Sequence, residues 1–225
     1  MFASRGFSAG DFFYLLELFF ASLKLHMMPI IILLGQNLVT NRWSGGTTTE
    51  LFIYPPTAVY AQRNFDFRLS TATVEAEESE FTSLPGYARK LMVLAGQTTL
   101  HHQNHHRISL QKFDVDTFNG SWKTTSVGKC TDFNVMTRGR FSANMKALSI
   151  PNNCQEEIIL QQNCKWFFLY QLTGKTTVFA DDLRFLMNAG DFGIIENPNQ
   201  SVIKISAEEN SEVVLVEVSE KLRGR

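Results

Sequence analysis

The 225-residue sequence predicts an all-β protein, a sandwich or barrel. Three observations carry that prediction. Short runs rich in β-branched and aromatic residues recur at fairly even spacing from Met28 onward, turn-forming residues separate them, and helical periodicity is scarce. Composition permits a sizeable core, with 44% hydrophobic and 12% aromatic residues. That is enough for one large domain or two small ones.

The elements follow in chain order. The N-terminal stretch "DFFYLLELFFASLKLHMMPIIILL" (11–34) is apolar but broken by Asp11, Glu17, Lys24 and His26, so its clean runs fall short of the roughly 18–20 residues a membrane-spanning helix needs. Glu17 in mid-stretch argues against a signal peptide. The expectation is an amphipathic helix, or translated sequence upstream of a start at Met27 or Met28. Beyond it, strands are predicted over 65–74 ("FDFRLSTATV"), 89–100 ("RKLMVLAGQTTL"), 130–138 ("CTDFNVMTR"), 164–174, 201–207 and 212–219. Turns are placed at Tyr54-Pro55-Pro56, Leu84-Pro85-Gly86, Asn119-Gly120, Asn152-Asn153 and Asn197-Pro198-Asn199.

A faint internal echo links "VLAG" (93–96) to "YQLTGKTTV" (170–178) and "LMNAGDFGIIE" (186–196). Strand, glycine, strand, Gly-Asp, strand is the rhythm of a cupin-type jelly roll, and two copies would make a bicupin. The organisation expected is an extension (1–27), a first half (28–140) and a second half (141–222), packed as one compact unit.

A net charge of −1 provides no electrostatic footprint for nucleic acid, and no basic run suggests an anionic membrane. Cys130, Cys154 and Cys164 form no CxxC pair, so neither a zinc knuckle nor a disulfide framework is implied. A reducing cytoplasm fits best.

The stretch "LHHQNHHRISL" (100–110) holds four of the five histidines. Folded about Gln103-Asn104, His102 would oppose His105 and His101 would oppose His106. Alternation then splits the imidazoles two and two across the sheet. A catalytic zinc usually takes three protein ligands. The His-x-His step of metal-binding cupins is also missing, as is a later histidine. A solvated hairpin tip is expected, with no metal and no cofactor.

Polar residues on strands otherwise built for burial carry a stronger signal. Asp132, Asn134, Met136 and Arg138 share one face of their strand, as do Arg68 and Ser70 of theirs. Glu50 precedes "LFIY", and Arg89 opens "RKLMVL". An interior arginine is costly unless it meets a carboxylate. If that partner is protein, as in Glu50 with Arg68 or Asp132 with Arg89, the pair is structural. If one guanidinium is left over, it is a fork for an incoming carboxylate.

At these residues the chain resembles the HutD/Ves family of bicupins. The matching blocks are "NRWSGGTTTELFIYPP" (41–56), "FDFRLSTATV" (65–74), "EFTSLPGYARKLMVLAG" (80–96), "FNGSW" (118–122) and "GKCTDFNVMTRG" (128–139). The resemblance spans about 28–219 and is closest in the first half. Carried over by position, it marks Trp43, Gly46, Thr49, Glu50, Arg68, Ser70 and Phe81. It continues through Pro85, Gly86, Arg89, Asp132, Asn134, Met136 and Arg138. Ser44 departs from the family's usual Asn. The resemblance implies a two-cupin protein of the cytoplasm, without the metal ligands of catalytic cupins. Its HutD members are associated with histidine utilisation and with a small carboxylate such as urocanate or formylglutamate, its Ves members with a stress response.

Among the motif residues, Pro85-Gly86 is read as a turn, Gly45-Gly46 as a tight turn before a strand, and Trp43 and Phe81 as core aromatics. Glu50, Arg68, Ser70, Arg89, Asn134 and Arg138 are the expected ligand-binding set, with no catalytic residue assigned. The reading leans to a non-enzymatic carboxylate-binding bicupin. The alternatives are a metal-dependent oxygenase, a metal-free isomerase or lyase with Glu50 as general base, and an interaction protein keeping a pocket vestige. The expected partner is a small carboxylate, with no nucleic acid or membrane, and a homodimer is left open.

Overall fold

The computed structural model describes residues 30–198 and 202–221. The predicted N-terminal extension and Asn199 lie outside the described residues. Among the described residues nineteen strands form four sheets, and every strand pairing is antiparallel.

A six-stranded sheet holds, in spatial order, β2 (Thr40–Trp43), β3 (Gly46–Tyr54), β4 (Phe67–Val74), β11 (Cys130–Arg138), β6 (Tyr87–Gly96) and β9 (Val115–Asn119). Facing it is a four-stranded sheet of β5 (Glu78–Glu80), β10 (Thr124–Val127), β7 (Thr98–His102) and β8 (Arg107–Leu110). A second pair follows. Its five-stranded sheet orders β1 (Ile30–Leu33), β17 (Phe192–Glu196), β14 (Cys164–Thr173), β19 (Ser211–Glu220) and β12 (Phe141–Ile150). Its four-stranded sheet orders β13 (Gln155–Ile159), β18 (Val202–Ala207), β15 (Lys175–Ala180) and β16 (Leu183–Asn188). The chain thus closes one jelly roll before Gly139 and begins the next at Phe141. β1 is the exception, since it pairs with β17 of the second roll.

The central strands of the first roll are buried on both faces, and their alternation sorts side chains by chemistry. Phe67, Leu69, Met92, Leu94, Phe133 and Val135 point away from the first roll. They pack with Phe168, Phe192, Ile194 and Val214 of the five-stranded sheet into one core shared by both rolls. The second roll is filled by a separate apolar cluster around Phe167, Leu169, Val178, Ile203 and Leu215. The first roll is apolar at its two ends, around Leu91, Leu100 and Phe118 and around Phe65, Leu84 and Tyr87. Between those ends its interior is polar.

Two of the predicted turns have clear physical grounds. Tyr87 N–H donates to Leu84 O at 3.2 Å across Pro85-Gly86, with Gly86 at φ +85°. Proline at the second turn position and glycine at the third is the type II pattern. At Gly46 a Cβ would lie 1.9 Å from the Thr73 carbonyl oxygen, so the β3–β4 approach admits only glycine.

The histidine hairpin departs from its expected register. His102 N–H donates to His106 O at 2.9 Å, and His101 pairs with Arg107 instead of His106. The loop therefore closes over three residues, with Asn104 taking a left-handed φ of 64°. A one-residue slip exchanges the faces of the returning strand. His102 and His106 consequently share a face, and His102 is buried at 1% exposure instead of solvated.

Candidate functional site

The polar interior of the first roll opens into a cavity of about 730 Å³, within the ~300–1,000 Å³ range of small-molecule sites. Of the expected set, Glu50, Arg68, Ser70, Arg89 and Asn134 line it. Strand register explains their convergence. Asn134 of β11 sits opposite Ser70 of β4, and Ser70 opposite Glu50 of β3. On its other side β11 pairs with β6, bringing Met136 opposite Arg89.

Arg138 does not join them. Alternation keeps it on the same face of β11, but the strand outruns the cavity and its fourth inward position emerges at the end. There its guanidinium lies 3.6 Å from Asp66, donates to Arg63 O at 3.2 Å and stacks over the Tyr87 ring. It is a positioning contact at the rim of the roll and is withdrawn from the binding set.

The two remaining arginines differ sharply. Arg68 donates through Nε to Glu50 Oε2 at 2.7 Å and through Nη1 to Ser70 Oγ at 2.9 Å, and it lies over the Tyr60 ring. This is the internal ion pair that the sequence allowed. Arg89 has no such partner. Among the described residues no carboxylate oxygen lies within 4.0 Å of it. Its Nη atoms reach Thr82 O and Asn134 Oδ1 only at 3.5 Å, and its buried Nε has no hydrogen-bond partner. The guanidinium is held between the rings of Phe81 and Phe118, at 4.8 and 5.2 Å. Burial pulls its pKa down to about 10, which leaves it cationic at neutral pH.

Asp132, a buried acid of the same cavity, is not paired with Arg89. Its carboxylate instead accepts from Asn134 Nδ2 in a short hydrogen bond. Burial pushes its pKa up to about 7, with Arg89 and Asn134 opposing the shift. Asn134 therefore spans from the carboxylate to the vicinity of the guanidinium.

Three ring-bearing residues of the cavity were assigned elsewhere or missed in the sequence. Trp43, expected in the core, lines the cavity and is 37% exposed, while Phe81 packs on the Leu91–Phe118 core cluster as expected and also borders the cavity. Tyr60 lies in the short 3₁₀ turn Tyr60–Gln62 and covers Arg68. An aromatic residue in a polar connection just ahead of an inward arginine is the one signal that marked it.

Two fused jelly rolls, one filled and one hollow around an arginine, define a bicupin. The chain belongs to the HutD family, whose sequence profile matches residues 35–215. Its fold is shared with a conserved protein of unknown function from Pseudomonas aeruginosa PAO1, PA5104. The two are 20% identical with a TM-score of 0.74, over 85% of this chain and 100% of that one. HutD from Pseudomonas fluorescens SBW25 gives 18% identity and a TM-score of 0.70, over 86% and 100%. Oxalate decarboxylase from Bacillus subtilis is more distant, at 8% identity and a TM-score of 0.62 over 87% and 78%. No curated protein matches the sequence at a significant level. Among the described residues no helix is long and apolar enough to cross a membrane.

Proposed function

We propose that this chain is a non-enzymatic bicupin that binds a small carboxylate metabolite in the first-roll cavity and acts in histidine utilisation. The observation that carries this reading is the unpaired Arg89 guanidinium. A planar fork with two Nη groups held only by bonds at 3.5 Å suits a carboxylate approaching in a bidentate manner. Ser70 and Asn134 stand beside it to take the ligand's remaining polar groups, and Trp43, Tyr60 and Phe81 supply flat apolar walls.

Membership of the HutD family supports the histidine-utilisation setting, and the metabolite proposed for that setting is urocanate or formylglutamate. The three cysteines, all unpaired, accord with a reducing cytoplasm. Glu50, the candidate base of the enzymatic alternative, is held by Arg68 at 2.7 Å, so binding is the better-supported role.

Calorimetric titration with urocanate, formylglutamate and formate tests the proposal. One of them is expected to bind with one-to-one stoichiometry, and Arg89→Gln is expected to abolish the heat. Absence of heat with all three, or an unchanged isotherm in Arg89→Gln, removes the proposal.

A further inference from the structure

The register of the histidine hairpin gathers a second cluster, separate from the cavity. Its members come from three elements. His102 ends β7, His106 stands across the hairpin loop, and Asp116 lies inward on β9 next to the sheet-forming Leu91. His102 Nε2 is 2.8 Å from Asp116 Oδ2, and His106 Nε2 is 3.2 Å from Asp116 Oδ1. All three ligand-capable atoms lie within 4.8 Å of one another. The Phe118 ring separates this cluster from the cavity, packing on His102 at 4.6 Å and under Arg89.

Both nitrogens of the buried His102 ring are placed, Nδ1 at 2.8 Å from Thr124 Oγ1 and Nε2 at 2.8 Å from Asp116 Oδ2. With its proton on Nδ1 toward Thr124, the His102 ring would turn the Nε2 lone pair to the point where His106 Nε2 and the Asp116 carboxylate also converge. Asp116 Oδ1 is meanwhile fixed by Thr117 N–H at 2.9 Å.

We infer that His102 Nε2, His106 Nε2 and the Asp116 carboxylate form a binding site for one divalent transition ion of the zinc class. Two imidazoles and a carboxylate are a donor set suited to zinc, cobalt(II) or iron(II), with the remaining positions open to water. A tetrahedral ion with bonds of ~2.0–2.1 Å needs ligand atoms about 3.3 Å apart. His106, whose side chain is 39% exposed, can adjust to meet that spacing and provides the path of access. Thr124 acts as a positioning residue, orienting His102 through the ring's other nitrogen. The expectation that the hairpin carries no metal rested on a two-and-two split of the imidazoles and on the missing His-x-His step, nearby Glu and later histidine. The observed register still leaves two imidazoles on this face, His102 and His106, and Asp116 of β9 adds the third donor.

Cobalt(II) titration of the full-length, chelator-stripped protein tests the inference through the visible d–d absorption of the bound ion. One equivalent per chain is expected to saturate the signal, and zinc to displace it. His106→Gln and Asp116→Asn should each weaken cobalt binding by more than tenfold, while His101→Gln and His105→Gln leave it unchanged. Thr124→Val should weaken it by about 10–100-fold and Thr124→Ser restore it. His106→Gln alters a half-exposed side chain, so its folding, checked by circular dichroism, is not in question. No saturable one-equivalent signal, undiminished binding in His106→Gln, or loss of binding in His101→Gln overturns the assignment.

Discussion

Moving a guanidinium out of water costs several kcal/mol, and Arg89 recovers little of that from the protein. Its neighbours are two aromatic faces, a carbonyl and an amide oxygen at 3.5 Å, and a carboxylate that prefers Asn134. Arg68, two strand pairings away across Met136 of β11, is clasped by Glu50. The difference makes a testable statement about stability. Replacing an uncompensated buried charge by an apolar side chain of similar length should stabilise the fold, so Arg89→Met is expected to gain about 1–4 kcal/mol in chemical denaturation while losing carboxylate binding. A merely structural arginine would give the opposite sign.

Asp132 adds a pH dependence. Its folded-state pKa of about 7 lies above the ordinary 3.8, so the native state holds a proton that the unfolded chain has already released. Stability should fall as pH rises between those two values, by an amount on the order of a few kcal/mol, and Asp132→Asn should flatten that slope. The same proton bears on the proposed carboxylate, which an ionised Asp132 would repel, so its affinity should fall as pH rises from 6 to 8 through the Asp132 pKa of about 7. Calorimetry at the two pH values checks this.

Strand alternation is what the sequence conveyed best, and β4, β6 and β11 show why. A run such as "DFNVMTR" states its two faces directly, and the structure sends Phe133 and Val135 to the shared core and Asp132 and Asn134 to the cavity. The faces have separable consequences. Phe133→Ala should cost about 3–5 kcal/mol in denaturant unfolding yet leave ligand affinity near its original value. Asn134→Ala should do the reverse, weakening binding more than folding. Alternation cannot say where a cavity ends along a strand, which is why Arg138 was placed inside it. Nor can it fix a loop length. Gln103-Asn104 reads as a two-residue turn, and the extra residue in the observed loop exchanged the faces of His105 and His106. Trp43 was misplaced for a related reason: an aromatic side chain beside a strand reads as core until the hollow it borders is seen.

The arrangement of the two rolls was legible as rhythm but not as architecture. The echo of "VLAG" in the second half pointed to two copies, whereas nothing in "IIIL" marked β1 as a strand of the second roll. The core shared between the six-stranded and five-stranded sheets has a thermodynamic consequence. Neither roll can open without exposing Phe67, Phe133, Phe168 and Phe192 together. Unfolding should therefore be a single transition, with near-ultraviolet circular dichroism and Trp fluorescence giving coincident midpoints. Two separated transitions would show that the rolls are independent.

The most direct measurement is a crystal structure of the protein with whichever carboxylate gives the strongest calorimetric signal. Both carboxylate oxygens are predicted to sit about 2.7–2.9 Å from the Nη atoms of Arg89, with the Arg68–Glu50 pair intact. A ligand seated anywhere else, or an Arg89 that swings to Asp132 and leaves the anion without a guanidinium, would contradict the account.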